Sequence, residues 1–349
     1  MSANSDYNDI FASTLESRTG EMADNITKNN ALLLRLKNKG NIRPISGGSK
    51  ILEELEYGEG DMVWYSGYDA INYTPKQLFS AAEYALKLAA VPVAISGEDL
   101  LKNSNYAQVM DLMEKRISNA QKTMANQLSY AMYGDGTGSN GKSIGGLKLL
   151  VADDPTTGTV GNINRAETGN EFWRNQSTTA ALTSSNILDK MNEMYLACSR
   201  GKDKPDLIVA DNKLYSLFEQ ALQSSQRFVN PSVAEAGFAS IKYKGADVLC
   251  DGGQNGYCPE DHMYFLNTDY LYLRPHKDRN MKVIDGTRLA VNQDAMYRII
   301  GWAGNMTMSN AALQGVLIHQ EEETSETPET PETPETPEPS ETPGEDING

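Results

Sequence analysis

The sequence predicts an α+β fold organised around one long helix, and three observations carry that prediction. Residues 105–133 place Val109, Met113, Ile117, Ala120, Met124, Leu128 and Ala131 at spacings of three and four, a single apolar stripe. Residues 186–274 alternate short helical patterns with apolar runs that read as strands. Residues 46–75 read as a charged hairpin that belongs to neither.

Residues 1–20 form a polar arm. The pattern at 21–39 predicts a short amphipathic helix with Ile26, Leu32, Leu33 and Leu36 on its apolar face and Gly40 as its stop. Between residues 25 and 52 there is no acidic residue but six basic ones: Lys28, Arg35, Lys37, Lys39, Arg43 and Lys50. They complement a helix C-terminus, or they lie against acidic neighbours, nucleic acid among them. In the hairpin, Ile51, Leu55 and Tyr57 alternate with acidic residues, residues 58–61 make the turn, and Val63, Tyr65 and Tyr68 lie on the return strand. Glu53, Glu54, Glu56, Glu59 and Asp61 make both faces look wet. A two-stranded hairpin is marginal alone in water, so this one predicts a partner, with another subunit the obvious candidate.

A short helix is expected at 77–89, a buried strand at 90–95 and a turn at 96–99. The long helix follows, capped by Asn103 or Ser104 and ended by Gly134. It spans roughly 40 Å at 1.5 Å per residue. Its one stripe suits a spine lying across a core. Residues 134–146 are a glycine-rich loop and 147–180 read as irregular. Helices are expected at 186–199 (Ile187, Met191, Met194 and Tyr195 inward) and 213–224. Strands are expected at 206–210, 241–243, 246–249, 263–266, 270–273, 281–284, 295–302 and 313–319. Residues 324–343 repeat Thr-Pro-Glu, a composition that buries no apolar surface and predicts a disordered, polyproline-like tail.

The 349 residues suffice for about two domains. Net charge is −16, but residues 320–349 hold ten Glu, one Asp and no Lys or Arg, so the body carries only about −5. A protein that wraps nucleic acid shows a basic excess, and this one does not. Three cysteines, Cys198, Cys250 and Cys258, argue against a disulfide scaffold and for a reducing compartment. Residues 1–16 show no secretory signal pattern, and no apolar run reaches the length of a membrane span.

Gly136-Thr-Gly-Ser-Asn-Gly-Lys142-Ser143 matches the phosphate-loop pattern, and residues 207–211 resemble the strand ending in Asp that holds magnesium. That chemistry needs a strand entering the loop and a helix leaving it, so that helix amides point at phosphate. Here a long helix enters and Ile144-Gly-Gly leaves, which predicts a flexible loop. Cys250, Cys258 and His262 lack the tight cysteine pair that opens most zinc sites. There is no Gly-x-Ser-x-Gly nucleophile, and three histidines provide thinly for acid–base work. No enzyme activity, cofactor or metal is expected.

Several strings in order resemble the major capsid proteins of tailed bacteriophages, which share the Hong Kong 97 shell fold. They are Ile45-Ser-Gly-Gly-Ser-Lys-Ile-Leu with Trp64-Tyr-Ser-Gly-Tyr-Asp, Val93-Ala-Ile-Ser-Gly-Glu-Asp-Leu-Leu-Lys-Asn, Gly134-Asp-Gly-Thr-Gly with Ile144-Gly-Gly-Leu, Gly158-Thr-Val-Gly-Asn-Ile-Asn-Arg, and Trp173-Arg-Asn. The resemblance spans about residues 21–319. It implies an N-terminal arm (1–45), an extended hairpin loop reaching a neighbour (46–76), a peripheral domain with the spine helix (77–150) completed by return strands (275–319), an axial domain (151–274) and the tail (320–349). Covalent crosslinking through a hairpin lysine is not carried over, because Lys50 is the only lysine between 46 and 75 and sits at the base.

The implied function is an icosahedral shell subunit, assembled in the bacterial cytoplasm as hexamers and pentamers around double-stranded DNA without sequence specificity and without a membrane. Scaffold, portal and decoration proteins are the implied partners. Glu54, Glu56, Trp64, Tyr65, Trp173 and Arg174 are the candidate inter-subunit contacts, Trp173 having a second reading as a plug of the local core. Competing readings are an encapsulin-like compartment, a P-loop NTPase, and a cell-surface protein on a Thr-Pro-rich stalk.

Overall fold

Residue chemistry sorts the chain into two larger sheets bridged by one long helix, with two separate two-stranded pairs, one at residues 50–85 and one at 159–164. The computed structural model describes residues 30–71, 76–98, 106–223, 241–253, 256–289 and 294–321. In chain order the elements are α1 (Ala31–Asn38), β1 (Lys50–Glu56), β2 (Phe79–Ala85), β3 (Lys87–Ser96), α2 (Tyr106–Tyr133), α3 (Leu147–Leu150), β4 (Thr159–Val160), β5 (Ile163–Asn164), β6 (Gln176–Ala180), α4 (Ile187–Ala197), β7 (Leu207–Ala210), α5 (Asn212–Gln223), β8 (Ile241–Tyr243), β9 (Ala246–Cys250), β10 (His262–Leu266), β11 (Leu271–Pro275), β12 (Lys282–Leu289), β13 (Ala295–Met308) and β14 (Gly315–His319). The expectations for Ile26, for Asn103 and Ser104, for the first arm residues and for the Thr-Pro-Glu repeat lie outside the described residues.

The six-stranded sheet runs β6-β14-β10-β7-β9-β8, with β14/β6 and β7/β9 parallel and the other pairs antiparallel. Its central strands are buried on both faces, which explains why β7 reads Leu-Ile-Val-Ala without alternation. Ile208 and Ala210 share one core with Ile187, Met191, Met194 and Tyr195 of α4 and with Leu214 and Phe218 of α5. Leu207 and Val209 belong to the other core, with Tyr264, Leu266 and the spine helix.

In the second sheet β13 is central, with β3 along one side and β11 then β12 along the other. The spine helix α2 is 28 residues long, and Ala120, Met124, Leu128 and Met132 are buried at four-residue intervals. After the glycine-rich loop the chain returns against the helix end. A Cβ on Gly146 would lie 2.4 Å from the Met132 carbonyl oxygen, so only glycine fits that approach.

Four expectations need correction. Residues 77–89 are not a helix: Phe79–Ala85 is the antiparallel partner of β1, in register from Lys50↔Ala85 to Glu56↔Phe79. Val63, Tyr65 and Tyr68 lie on no strand but within the long connection between β1 and β2. The hairpin base is not wet on both faces, since Ile51, Glu53 and Leu55 are buried and only the alternate residues are exposed. Segment 275–319, expected to return as one set of strands, divides between two sheets: β12 and β13 sit beside β3, but β14 pairs with β6 and β10 in the six-stranded sheet.

Candidate assembly interface

β1 and β2 form a stalk whose inner face is part of the subunit's core. On that face Glu53 is 6% exposed. It meets Arg274 of β11 in a two-point ion pair, with Nε to Oε1 and Nη2 to Oε2 both at 2.7 Å, and accepts from the Thr307 hydroxyl at 2.7 Å. Leu52, Glu54 and Glu56 point outward. The stalk closes at a neck where the Tyr57 and Gly58 amides both donate to the Leu78 carbonyl, at 3.1 and 3.3 Å. The Tyr57 ring stacks on Phe172 with centroids 4.5 Å apart.

Beyond the neck the chain turns outward. Residues 59–71 are all exposed, among them Met62, Val63, Trp64, Tyr65, Tyr68 and Ile71. Trp64 is 86% exposed and Tyr65 64%. Full burial of one large apolar side chain stabilises by about 1.5–3 kcal/mol, so six of them in water on one loop mark a surface that gains by being covered. Trp and Tyr dominate the energetics of such contacts.

The other two candidate residues sit at the loop's root. Trp173 is 1% exposed, and its indole N–H donates to the Val160 carbonyl at 2.9 Å. Its side chain is therefore spent inside the subunit, as the core-plug reading required, and not offered as an exposed anchor. Arg174 is half-buried and donates from Nε to the Arg165 carbonyl at 2.9 Å. The root also holds a residue that the sequence reading took only as the end of the Gly158–Arg165 string and gave no role. Arg165 is wholly buried, and it donates to the carbonyls of Trp173 (3.0 Å), Leu150 (2.6 Å) and Leu149 (3.5 Å). Burial pulls its guanidinium down to about 10, still charged at neutral pH. Glu53 was legible in principle, because it occupies the inward phase of Ile51-x-Glu53-x-Leu55. Arg165 left no such mark.

The phosphate-loop match has the wrong surroundings. Helix α2 enters it, and four of its amides are already committed: Thr137 to the Asp135 carboxylate at 2.9 Å, Gly141 to the Thr137 carbonyl at 2.8 Å, Lys142 to the Gly138 carbonyl, and Ser143 to the Gly138 carbonyl at 3.1 Å. Asp135 puts negative charge where a phosphate would sit, and the Thr137 hydrogen bonds hold its carboxyl below the usual range. Cys250, Cys258 and His262 do not converge. The Cys250 thiol faces Asn212, Cys258 faces the His262 carbonyl, and the His262 ring contacts Asp153. Among the described residues no group of three His, Cys, Asp or Glu side chains could hold a metal, and no helix is long and apolar enough to cross a membrane.

No protein-family model and no curated protein matches the sequence. Solved structures match over nearly the whole chain. The capsid subunit of cyanophage A-1(L) is 15% identical with a TM-score of 0.62, covering 87% of this chain and 96% of that one. The capsid of the native GTA particle is 14% identical with a TM-score of 0.59, covering 92% and 100%. This chain has the Hong Kong 97-type capsid fold. The shell fold is shared beyond phage heads, since the holo-SrpI encapsulin complex of Synechococcus elongatus also matches, at 11% identity and a TM-score of 0.56, covering 91% of this chain and 96% of that one. In the present chain the fold's elements are the stalk and loop of residues 50–85, the spine helix and the two sheets.

Proposed function

We propose that this chain is the major capsid protein of a tailed bacteriophage, a structural and non-enzymatic subunit. It assembles in the host cytoplasm into the icosahedral head of the virion, as hexamers and pentamers around double-stranded DNA. Scaffold, portal and decoration proteins are its further partners. The observation that carries the reading is the pairing of a shell fold with a loop of six exposed large apolar side chains carried on the β1–β2 stalk. A soluble monomer has no use for such a loop, whereas a tile does. Glu54, Glu56, Trp64 and Tyr65 are the contacts assigned to a neighbouring subunit, with Arg174 at the loop's root. The arm (1–45), loop (46–76), peripheral (77–150 and 275–319) and axial (151–274) parts follow from the same reading, with β14 transferred to the axial sheet.

The test is expression of the full chain, alone and with its neighbouring genes, followed by negative-stain microscopy. Closed shells are expected. Replacing residues 59–71 by a short Gly-Ser link should leave a folded subunit that forms no shells, because none of those residues belongs to the core. Loss of the subunit's thermal transition in that variant would mean that the loop serves the fold instead. The encapsulin likeness supports a second reading, a bacterial compartment around a cargo enzyme. Portal and terminase genes nearby favour the head, and a ferritin-like or peroxidase gene nearby favours the compartment. The acidic tail is assigned to the outer surface, since inside a head it would crowd packaged DNA with like charge. Protease treatment of filled particles should remove it without releasing DNA.

A further inference from the structure

Segment 41–46 runs along the outer edge of β11, with Ile42 bridging Leu273 and Ile45 bridging His276. The turn from β11 into β12 continues the same edge, its Lys277 amide donating to the Ile45 carbonyl at 2.9 Å. Four cations line this edge, the Lys282 ammonium donating to the Lys277 carbonyl at 3.0 Å. The Arg43 guanidinium lies 4.6 Å above the Tyr272 ring, and Lys277, Arg279 and Lys282 occupy the turn and the start of β12. All four are exposed, and none forms an ion pair within the chain among the described residues. The turn's own carboxylate, Asp278, faces His276 at 3.8 Å. Other basic groups nearby are neutralised: Arg35 and Lys39 by Asp206, Asp247 and Asp269, and Lys50 by Glu83.

The stalk and loop carry the complement. Glu54 and Glu56 stand on the outer face of β1, about 7 Å apart as alternate strand residues are, and Glu59 follows just past the neck. All three are exposed and form no ion pair within the chain among the described residues. In a chain of net charge −16, an unneutralised cationic edge is unusual, and this chain also supplies an unneutralised anionic row.

Resting on the shell reading, we infer that the cationic edge of Arg43, Lys277, Arg279 and Lys282 is the surface on a second copy of this chain that receives the Glu54–Glu56–Glu59 row. Formed once per interface, with one copy giving its row and the next its edge, the contact is head-to-tail. A head-to-tail contact generates rings when its rotation closes, which is the arrangement that pentamers and hexamers require. The charges fix orientation and register, while the exposed Trp64 and Tyr65 beyond the row supply apolar contact.

Charge reversal in the full chain tests this. One variant carries Arg43→Glu, Lys277→Glu, Arg279→Glu and Lys282→Glu, a second carries Glu54→Lys, Glu56→Lys and Glu59→Lys, and a third combines them. Shell yield by sedimentation and microscopy, and subunit thermal midpoints, are read for each. Each single set should lower shell yield at least about tenfold at 0.1 M salt with the midpoint unchanged, and the combined set should recover to within about threefold of wild type. Wild-type yield in the edge variant overturns the inference, as does a combined variant no better than either parent. Wild-type yield with less retained DNA also overturns it, and would reassign the edge to packaged nucleic acid. Should the Glu edge set lower the midpoint, the corresponding Gln set decides, wild-type yield again overturning the inference. If the wild-type chain forms no shells under any condition, the shell reading itself has failed, which is a separate result.

Discussion

Glu53 and Arg274, 221 residues apart in sequence, are joined by two 2.7 Å hydrogen-bonded contacts beneath the stalk. This pair ties the loop-bearing strand β1 to the sheet edge at β11 and so sets the direction in which the loop leaves the subunit. Arg274→Met leaves a carboxylate at 6% exposure with only Thr307 to bind it. Removing one partner of a buried pair costs about 3–5 kcal/mol, whereas replacing both by apolar groups of similar volume is close to neutral. Urea denaturation should therefore rank Arg274→Met well below the Glu53→Leu/Arg274→Met double variant. A double variant as unstable as the single would show that the pair's charge, and not its packing, holds the stalk.

Arg165 anchors the root of the loop through three carbonyls and no carboxylate. Arg165→Met fills the volume but leaves those carbonyls unpaired in the interior. An unsatisfied buried acceptor costs about 1–3 kcal/mol, so a loss of roughly 3 kcal/mol in subunit stability is expected. Trp173→Ala at the same root should cost about 3–5 kcal/mol. Shell yield should fall in step with subunit stability in both variants. A shell defect in Trp173→Ala without loss of stability would restore its reading as an interface anchor.

These residues also show what the sequence made legible. The spine helix was readable because Ala120, Met124 and Leu128 of the predicted stripe are buried at one period over a length that no turn interrupts, although the buried face ends on Met132 and not on Ala131. The α4 face, β7 and α5 were readable for the same reason, each being local in its pattern. β2 was not: Phe79–Ala85 is rich in alanine, a good helix former, and becomes a strand only because β1, more than twenty residues earlier, pairs with it. β14 was read as a strand, but its sheet depends on β6 and β10, and register between distant strands leaves no mark in a single sequence. Trp64 and Trp173 look alike in composition. Only the packing of Phe172 on Tyr57 and of Trp173 on Val160 tells the buried indole from the exposed one. Arg165 ends one of the capsid-like strings, but its anchoring role is invisible because its partners are backbone carbonyls, which every residue carries.

Lys142 ends a single turn, and its own amide and that of Gly141 donate to carbonyls of the loop itself. Lys142→Ala should change subunit stability by less than about 0.5 kcal/mol, as exposed substitutions usually do. Shell yield should be unchanged, and calorimetry should detect no ATP binding before or after the substitution. Micromolar affinity abolished by the change would require the loop to be read as a phosphate site after all.

Asp251 gives the subunit a stability that depends on pH. Its side chain is 1% exposed, and it accepts from the Tyr133 hydroxyl, at the last residue of the spine helix, at 2.6 Å. Burial pushes its carboxyl from the ordinary 3.8 up to about 7, outweighing the Tyr133 hydrogen bond that pulls it down. Between those values the folded chain holds a proton that the unfolded chain has released. Unfolding therefore releases protons, and stability falls as pH rises from about 4 to about 7, then levels off. From pH 5 to pH 8 the loss amounts to on the order of 3 kcal/mol from this group. His262 adds to the same trend. Burial lowers its pKa, but the hydrogen bond and charge of Asp153 together with the Glu260 carbonyl outweigh this and raise the net value, so its contribution also fades as pH rises through that value. Asp251→Asn keeps an acceptor for Tyr133 but cannot ionise. Its thermal midpoint should exceed that of wild type at pH 8 by roughly 5 °C, and the difference should shrink towards pH 5, leaving the smaller slope due to His262. Parallel curves for the two proteins across pH 5–8 would show that Asp251 is ionised throughout and that solvent reaches the junction of the spine helix with β9.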